Sequence, residues 1–160
     1  MKPKNIVAAV LLSFVAASVA VLIAKGIREA PEAGDEANQA AGKPAMTDGV
    51  IAYYFHGKIR CPTCESIESY AHEAIRAGFA GPIEGGQLAW QVVNYELPEN
   101  EHFRTEYELI APTVVLVEMD GGSQKECRNL ARVWELVGDK EAFVKYIQEE
   151  TRAMLEGPTT

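Results

Sequence analysis

Apolar residues fall along this chain in three textures. From Ile6 to Ala24 they form a run interrupted only by Ser13 and Ser18. From 29 to 47 (EAPEAGDEANQAAGKPAMT) they show no period at all. From Gly49 onward they recur at the spacings of strands and helices. Val50 to Phe55 (VIAYYF) is a short, nearly continuous apolar run rich in β-branched and aromatic residues, which predicts a buried strand. Residues 62–77 switch to helical spacing. Cys64, Ile67, Ala71, Ala74 and Ile75 share one face, Glu65, Glu68, His72, Glu73 and Arg76 take the other, and Gly78 supplies a stop.

The same reading continues to the C-terminus. Gly81 to Gln87 is expected to be a loop and Leu88 to Asn94 (LAWQVVN) a second strand. Glu99 to Tyr107 predicts a short helix that turns Phe103 and Tyr107 inward, and Thr113 to Met119 (TVVLVEM) a central strand. Asp120-Gly121-Gly122 signals a hairpin into a fourth strand around Gln124 to Leu130. Asp139 can cap a last helix reaching about Leu155, with Phe143, Ile147 and Met154 on its inner face. The order is β-α-β-α-β-β-α. Strands joined through helices are expected to be parallel neighbours, and the turn makes the last pair antiparallel. A mixed four-stranded sheet with helices on both faces, an α/β fold, is expected.

The first texture has the dimensions of a membrane span: nineteen residues at about 1.5 Å each cover roughly the 30 Å bilayer core. It is longer than the apolar region of a cleavable signal peptide and ends in Lys25, which favours an uncleaved signal anchor. A buried core helix is disfavoured, since the run has no polar face. Lys2, Lys4 and the amino terminus outweigh Lys25 and Arg28, so the N-terminus is expected in the cytoplasm and the domain outside, at the cytoplasmic (inner) membrane. The organisation read from the sequence is an anchor over 1–28 (span about 6–24), a flexible linker over 29–48 and a domain over 49–156. The net charge of −8, without a basic patch, argues against nucleic acid and against lipid contact beyond the anchor.

Candidate chemistry lies where the first strand gives way to the first helix. Cys61 and Cys64 frame Pro62 and Thr63, while Cys127 stands alone. Three cysteines do not make a disulfide framework, so a functional pair fits better than a scaffold. Cys61 falls at the helix cap, where the amides of Thr63 and Cys64 can point at its sulfur and the helix dipole favours an anion. Pro62 takes the first helical position, where a missing N–H costs little, and Arg60 adds positive charge. All of this lowers the thiol below the ordinary value of about 8.5 and marks Cys61 as the attacking residue. Cys64, on the apolar face, would resolve the mixed disulfide. His56 is close enough in sequence to reach the site and equally reads as a surface loop residue; Cys127 reads as a buried or half-buried strand thiol. A structural staple closes too small a loop to stabilise much, zinc lacks a second ligand pair, and Glu65 stands where haem attachment needs His. No metal and no cofactor are expected. Trp90 and Trp134 read as packing residues.

The element order, with Cys61-Pro62-Thr63-Cys64 opening the first helix and Ala111-Pro112-Thr113 opening the third strand, resembles the thioredoxin-like superfamily over roughly residues 49–155. The resemblance implies a three-layer fold, here preceded by a transmembrane helix. It also implies a cis Ala111–Pro112 bond lying against the cysteines, and a partner segment held beside Ala111, Pro112 and Thr113. More narrowly, FHGKIRCPTCESIESYA, VVNYELPENEHF and WELVGDKEAF resemble small membrane-tethered proteins of the nitrophenyl compound nitroreductase subunit ArsF family. That likeness implies redox handling of nitroaromatic or arsenical compounds, as an electron-carrying subunit, since nothing in the chain resembles a flavin site. The sequence departs from thioredoxins in placing Arg60 where they carry Trp, and in lacking an acidic residue within Ile51 to Phe55.

Three functions remain open on sequence. The first is a membrane-anchored thiol–disulfide oxidoreductase or electron relay, whose partner is a protein dithiol or disulfide, including a membrane-embedded thiol relay. The second is a soft-metal or trivalent-arsenical binding module using both thiolates. The third is a non-catalytic adaptor whose disulfide merely orders a loop.

Overall fold

The computed structural model describes residues 46–157; the expected anchor and most of the expected linker lie outside them. Among the described residues no helix is long and apolar enough to cross a membrane. The elements are β1 (Gly49–His56), α1 (Pro62–Gly78), α2 (Ala80–Glu84), β2 (Leu88–Asn94), a 3₁₀ turn (Pro98–Asn100), α3 (His102–Glu106), β3 (Thr113–Asp120), β4 (Ser123–Asn129), α4 (Val133–Leu136) and α5 (Lys140–Glu156).

The four strands form one mixed sheet in the order β2-β1-β3-β4. Strand β1 is nearly continuous in apolar residues because both its faces are covered. Val50, Ala52 and Tyr54 enter one core with Ile67, Ala71 and Ile75 of α1 and Phe143, Ile147 and Met154 of α5. Ile51, Tyr53 and Phe55 enter a second core with Phe103, Tyr107 and Leu109 around α3. Helices on both faces of a mixed sheet make three layers, consistent with a thioredoxin-like α/β fold.

Most elements fall within a residue or two of their expected limits, and the five residues assigned to the inner face of α1 are its buried ones. The expected Asp139 cap is formed, its carboxylate accepting from the Ala142 amide at 3.1 Å. Two one-turn helices were missed. Residues Ala80–Glu84 (AGPIE) bury nothing, and Val133–Leu136 buries only Val133, so neither carries an apolar period.

One expectation about topology is corrected. β1 and β2 are parallel, but β3 runs antiparallel to β1. The reason is the shortness of the helix in the connection. Helix α3 has five residues, about 7 Å of rise, and cannot carry the chain back along an eight-residue strand of about 26 Å. The chain therefore re-enters the sheet at the end it left, with His56 opposite Asn94 and Phe55 opposite Thr113. Helix α3 closes with the Leu109 amide donating to the Arg104 carbonyl at 2.9 Å, and Glu108 takes the left-handed position usually given to glycine (φ 52°). At the opposite end of the sheet, Gly121 and Gly122 of the β3–β4 turn donate to the Asp48 carboxylate and the Thr47 carbonyl. The bond from Gly121 holds the exposed Asp48 carboxyl below its ordinary range.

Candidate redox site

The ends of β1 and β2 and the start of β3 meet at one end of the sheet, and α1 begins there. Cys61 has extended backbone (φ −92°, ψ 157°), and Pro62 follows at the first helical position, where its fixed φ is already helical. Of the two amides expected to reach the Cys61 sulfur, that of Cys64 does so, at 3.1 Å. The Cys61 carbonyl accepts from Glu65 at 3.0 Å, so backbone and side chain of one residue both cap the helix. Cys61 and Cys64 are joined in a disulfide across a Cα separation of 5.0 Å. Cys61 and Thr63 are half-buried and Pro62 is exposed, while Cys64 is 4% exposed. A partner sulfur can therefore approach Cys61 and not Cys64.

Tyr54, which the sequence reading took only as part of a strand, supports the pair from below. Its hydroxyl donates to the Cys64 carbonyl at 2.7 Å, and burial pushes its pKa up to about 12. Arg60 lies over the Tyr54 ring at 6.0 Å and forms an ion pair with Glu68 of α1. Glu68 was expected simply on the outer face of the helix; here it shares the charge assigned to tuning the thiolate. The loop between β1 and α1 is tied down by Glu96, whose carboxylate accepts from the Lys58 amide at 2.8 Å.

His56 is not a surface residue. It ends β1, is 4% exposed, and stacks on Tyr54 with 6.0 Å between ring centres. Its Nδ1 lies 2.8 Å from the Gly57 carbonyl, which can only accept, so Nδ1 carries the proton. Its Nε2 is buried without a hydrogen-bond partner among the described residues, an arrangement that costs about 1–3 kcal/mol. Burial, the largest effect, holds its pKa below 6.5; the hydrogen bond to the Gly57 carbonyl opposes it, the Arg60 charge adds to it, and Glu96 opposes it least.

The Ala111–Pro112 bond is trans, contrary to expectation, as are all peptide bonds of the described residues. Trans is the intrinsic preference of an X–Pro bond by about 0.5–1 kcal/mol. The Trp134 indole N–H, which donates to the Pro112 carbonyl at 2.8 Å, fastens that carbonyl in its present orientation. Trp134 is thus a support of this loop rather than a packing residue alone. Ala111 and Pro112 are half-buried, and buried Thr113 donates to the Asn129 side chain at 3.1 Å. Ile110, just before them, is 99% exposed, and Ile59, just before Arg60, is 86% exposed. Strand register sends both loops out at the same end of the sheet. Neither isoleucine was singled out from the sequence, although an Ile in a polar loop is a visible signal.

Cys127 is exposed, not buried. It lies on β4, an edge strand of sequence SQKECRN in which only Arg128 is less than exposed, so the strand has nothing to pack under. Among the described residues no group of three or more His, Cys, Asp or Glu side chains is placed to hold a metal ion.

No protein-family model and no curated protein matches the chain. Among solved structures it is similar to the germline-specific thioredoxin Deadhead of Drosophila melanogaster: 16% identity, TM-score 0.38, 59% of this chain and 81% of that one. It is also similar to mitochondrial thioredoxin 3 of Saccharomyces cerevisiae in its oxidised form, at 14% identity and TM-score 0.37, over 64% of this chain and 79% of that one. Human ERp44 is similar at 17% identity and TM-score 0.41, over 66% of this chain and 28% of that one. Likeness at this level carries no functional weight. What the site can do rests on its own geometry.

Proposed function

We propose that this protein is a thiol–disulfide oxidoreductase whose working group is the Cys61–Cys64 pair. The observation that carries the reading is the asymmetry of that disulfide. One sulfur is reachable and accepts a helix amide, and the other is buried behind it.

In the oxidised form a partner thiolate attacks the Cys61 sulfur in line with the disulfide. The Cys61–Cys64 bond breaks, a mixed disulfide forms, and Cys64 takes the electron pair and a proton. A second partner thiol then displaces Cys61, whose departing thiolate is stabilised by the Cys64 amide and the helix N-terminus. Two electrons have passed from the partner dithiol to the pair, with one proton to Cys64 and the other to solvent while Cys61 stays a thiolate, or to Cys61 once it is protonated. The reverse sequence reduces a partner disulfide by the same steps. Ile59 and Ile110 flank this end of the sheet and offer apolar contact to an extended partner segment. In this reading Ala111, Pro112 and Thr113 provide the backbone beside which that segment lies.

The 6–24 run supports an inner-membrane anchor with the domain outside the cytoplasm, where a membrane-embedded thiol relay would be a natural electron donor. The ArsF-like segments make an electron-carrying role towards nitroaromatic or arsenical chemistry the narrower form of this proposal. The test is the Cys64→Ser variant in intact membranes. It should accumulate mixed disulfides through Cys61 that reducing agent releases, and these identify the partner. A variant that traps nothing, from a protein that also fails to reduce insulin disulfides, would remove the reading.

A further inference from the structure

This inference rests on the proposed exchange reaction and concerns the proton that the reaction must move. Resolution by Cys64 requires its buried thiol to lose a proton as the new sulfur–sulfur bond forms. Cys64 is 4% exposed, so bulk water is poorly placed to take it.

Among the described residues, His56 offers a basic lone pair beside Tyr54, whose hydroxyl reaches Cys64. Side chains alternate along β1, so His56 shares the face of Tyr54, and Tyr54 reaches the Cys64 carbonyl at 2.7 Å. Cys64, the first buried residue of α1, and His56, the last residue of β1, thus both border Tyr54: one accepts from its hydroxyl, and the other stacks on its ring with 6.0 Å between centres. The Nδ1–H is fixed on the Gly57 carbonyl, leaving Nε2 as an acceptor, buried and unpartnered. The groups around the ring are Tyr54 on its own strand, Asn94 opposite it on β2, Arg60 in the loop above and Glu96 beyond β2. Burial outweighs the Gly57 hydrogen bond in opposing a charged ring, with Arg60 adding to it and Glu96 subtracting, so Nε2 keeps a free lone pair.

We propose that His56 Nε2, directly or across one water, takes the Cys64 thiol proton during resolution and returns it when the disulfide is reduced. In the resolving direction the Cys64 S–H bond breaks and Nε2 gains the proton. The Cys64–Cys61 bond forms, and the partner sulfur leaves with the electron pair of the mixed disulfide. The imidazolium then gives its proton to the departing thiolate or to solvent. In the reducing direction Nε2 first takes the proton of the incoming partner thiol, and the imidazolium then gives it to Cys64 as the Cys61–Cys64 bond breaks.

Such a group must feel the redox state of the pair, and this can be read without any partner. In imidazole nitrogen NMR of the full chain, the His56 Nε2 signal and titration midpoint should differ between disulfide and dithiol forms. The nitrogen signals of His72 and His102 should not move between the two forms, and His56→Gln identifies the His56 signal by its loss. Identical His56 behaviour in both forms would overturn the proposal. Kinetically, His56→Gln retains a donor for Gly57 but no base. It should leave Cys61 alkylation within about twofold and slow decay of the mixed disulfide on the order of a hundredfold. Decay at the wild-type rate in a folded variant would equally overturn it. A wild-type protein that exchanges with no protein disulfide would instead sink the parent reading, and the NMR comparison still decides this one.

Discussion

Cys61 and Cys127 both reach solvent, yet the fold surrounds them differently. Cys61 sits where a strand hands over to a helix of 17 residues, its sulfur accepting an amide hydrogen bond, with a second sulfur buried one turn on. Cys127 sits in the middle of an edge strand, opposite Val117, with charged neighbours on either side and no helix beginning near it. Accessibility alone therefore does not make a working thiol. The difference lies in a preorganised helix N–H on the sulfur and in a second, buried sulfur bonded to it, both consequences of where the chain turns. The sharpest way to break the contrast is to remove each sulfur in turn. Cys61→Ser should reduce insulin-disulfide reduction to the uncatalysed rate. Cys127→Ser should leave it within about twofold, and in the reduced protein at pH 7 iodoacetamide should label Cys61 about tenfold faster than Cys127. Equal labelling would erase the distinction.

The two cysteine neighbourhoods each contain a tyrosine hydroxyl, and these sharpen the comparison at the level of stability. Tyr54 donates to a backbone carbonyl inside the first core, whereas Tyr107 donates to the side chain of exposed Gln124 at 2.9 Å. Tyr54→Phe leaves the Cys64 carbonyl short of a buried donor and should cost about 1–1.5 kcal/mol in urea unfolding. Tyr107→Phe exposes nothing that water cannot satisfy, because Gln124 is free to turn outward, and should cost less than about 0.5 kcal/mol. A reversed order would mean that the site under α1 is not the better-built of the two.

What the sequence made legible follows the same divide. Long-period elements were readable because burial imposes their pattern: the inner face of α1 and both faces of β1 could be assigned before any coordinates. Cys61, Pro62 and Cys64 were readable because helix N-termini have a local grammar of cap and proline. Tertiary relations were not. Nothing in VIAYYFH says that Tyr54 meets the Cys64 carbonyl or that His56 is enclosed, since both depend on how α1 lies across the strand end. The direction of β3 was misread because the rule for helical crossovers presumes a helix long enough to cross, and five residues are not. Cys127 was misread because a thiol in a strand suggests burial, while its charged neighbours already marked an edge. The trans Pro112 bond and its hold by Trp134 lie 22 residues apart in the chain and leave no local trace.

The smallest expected effect concerns the charge beside Cys61. Arg60 was expected to add its positive charge to the stabilisation of a Cys61 thiolate, but Glu68 of α1 pairs with it and offsets part of its field. The side chains remain 33% and 18% exposed, where ion pairs contribute about 0.2–1 kcal/mol and are screened by salt. At 1.36 kcal/mol per pH unit, either partner can move the thiol by less than about one unit. The two substitutions should move it in opposite directions. Arg60→Ala removes a positive charge and should shift the midpoint of the Cys61 alkylation profile upward. Glu68→Gln frees Arg60 of its counter-charge and should shift the midpoint downward, and both shifts should shrink in 1 M salt. Movement in the same direction would show that the ion pair acts by holding the loop rather than by its charge. A shift well beyond one unit would mean that Arg60, rather than the helix amide, is what separates Cys61 from Cys127.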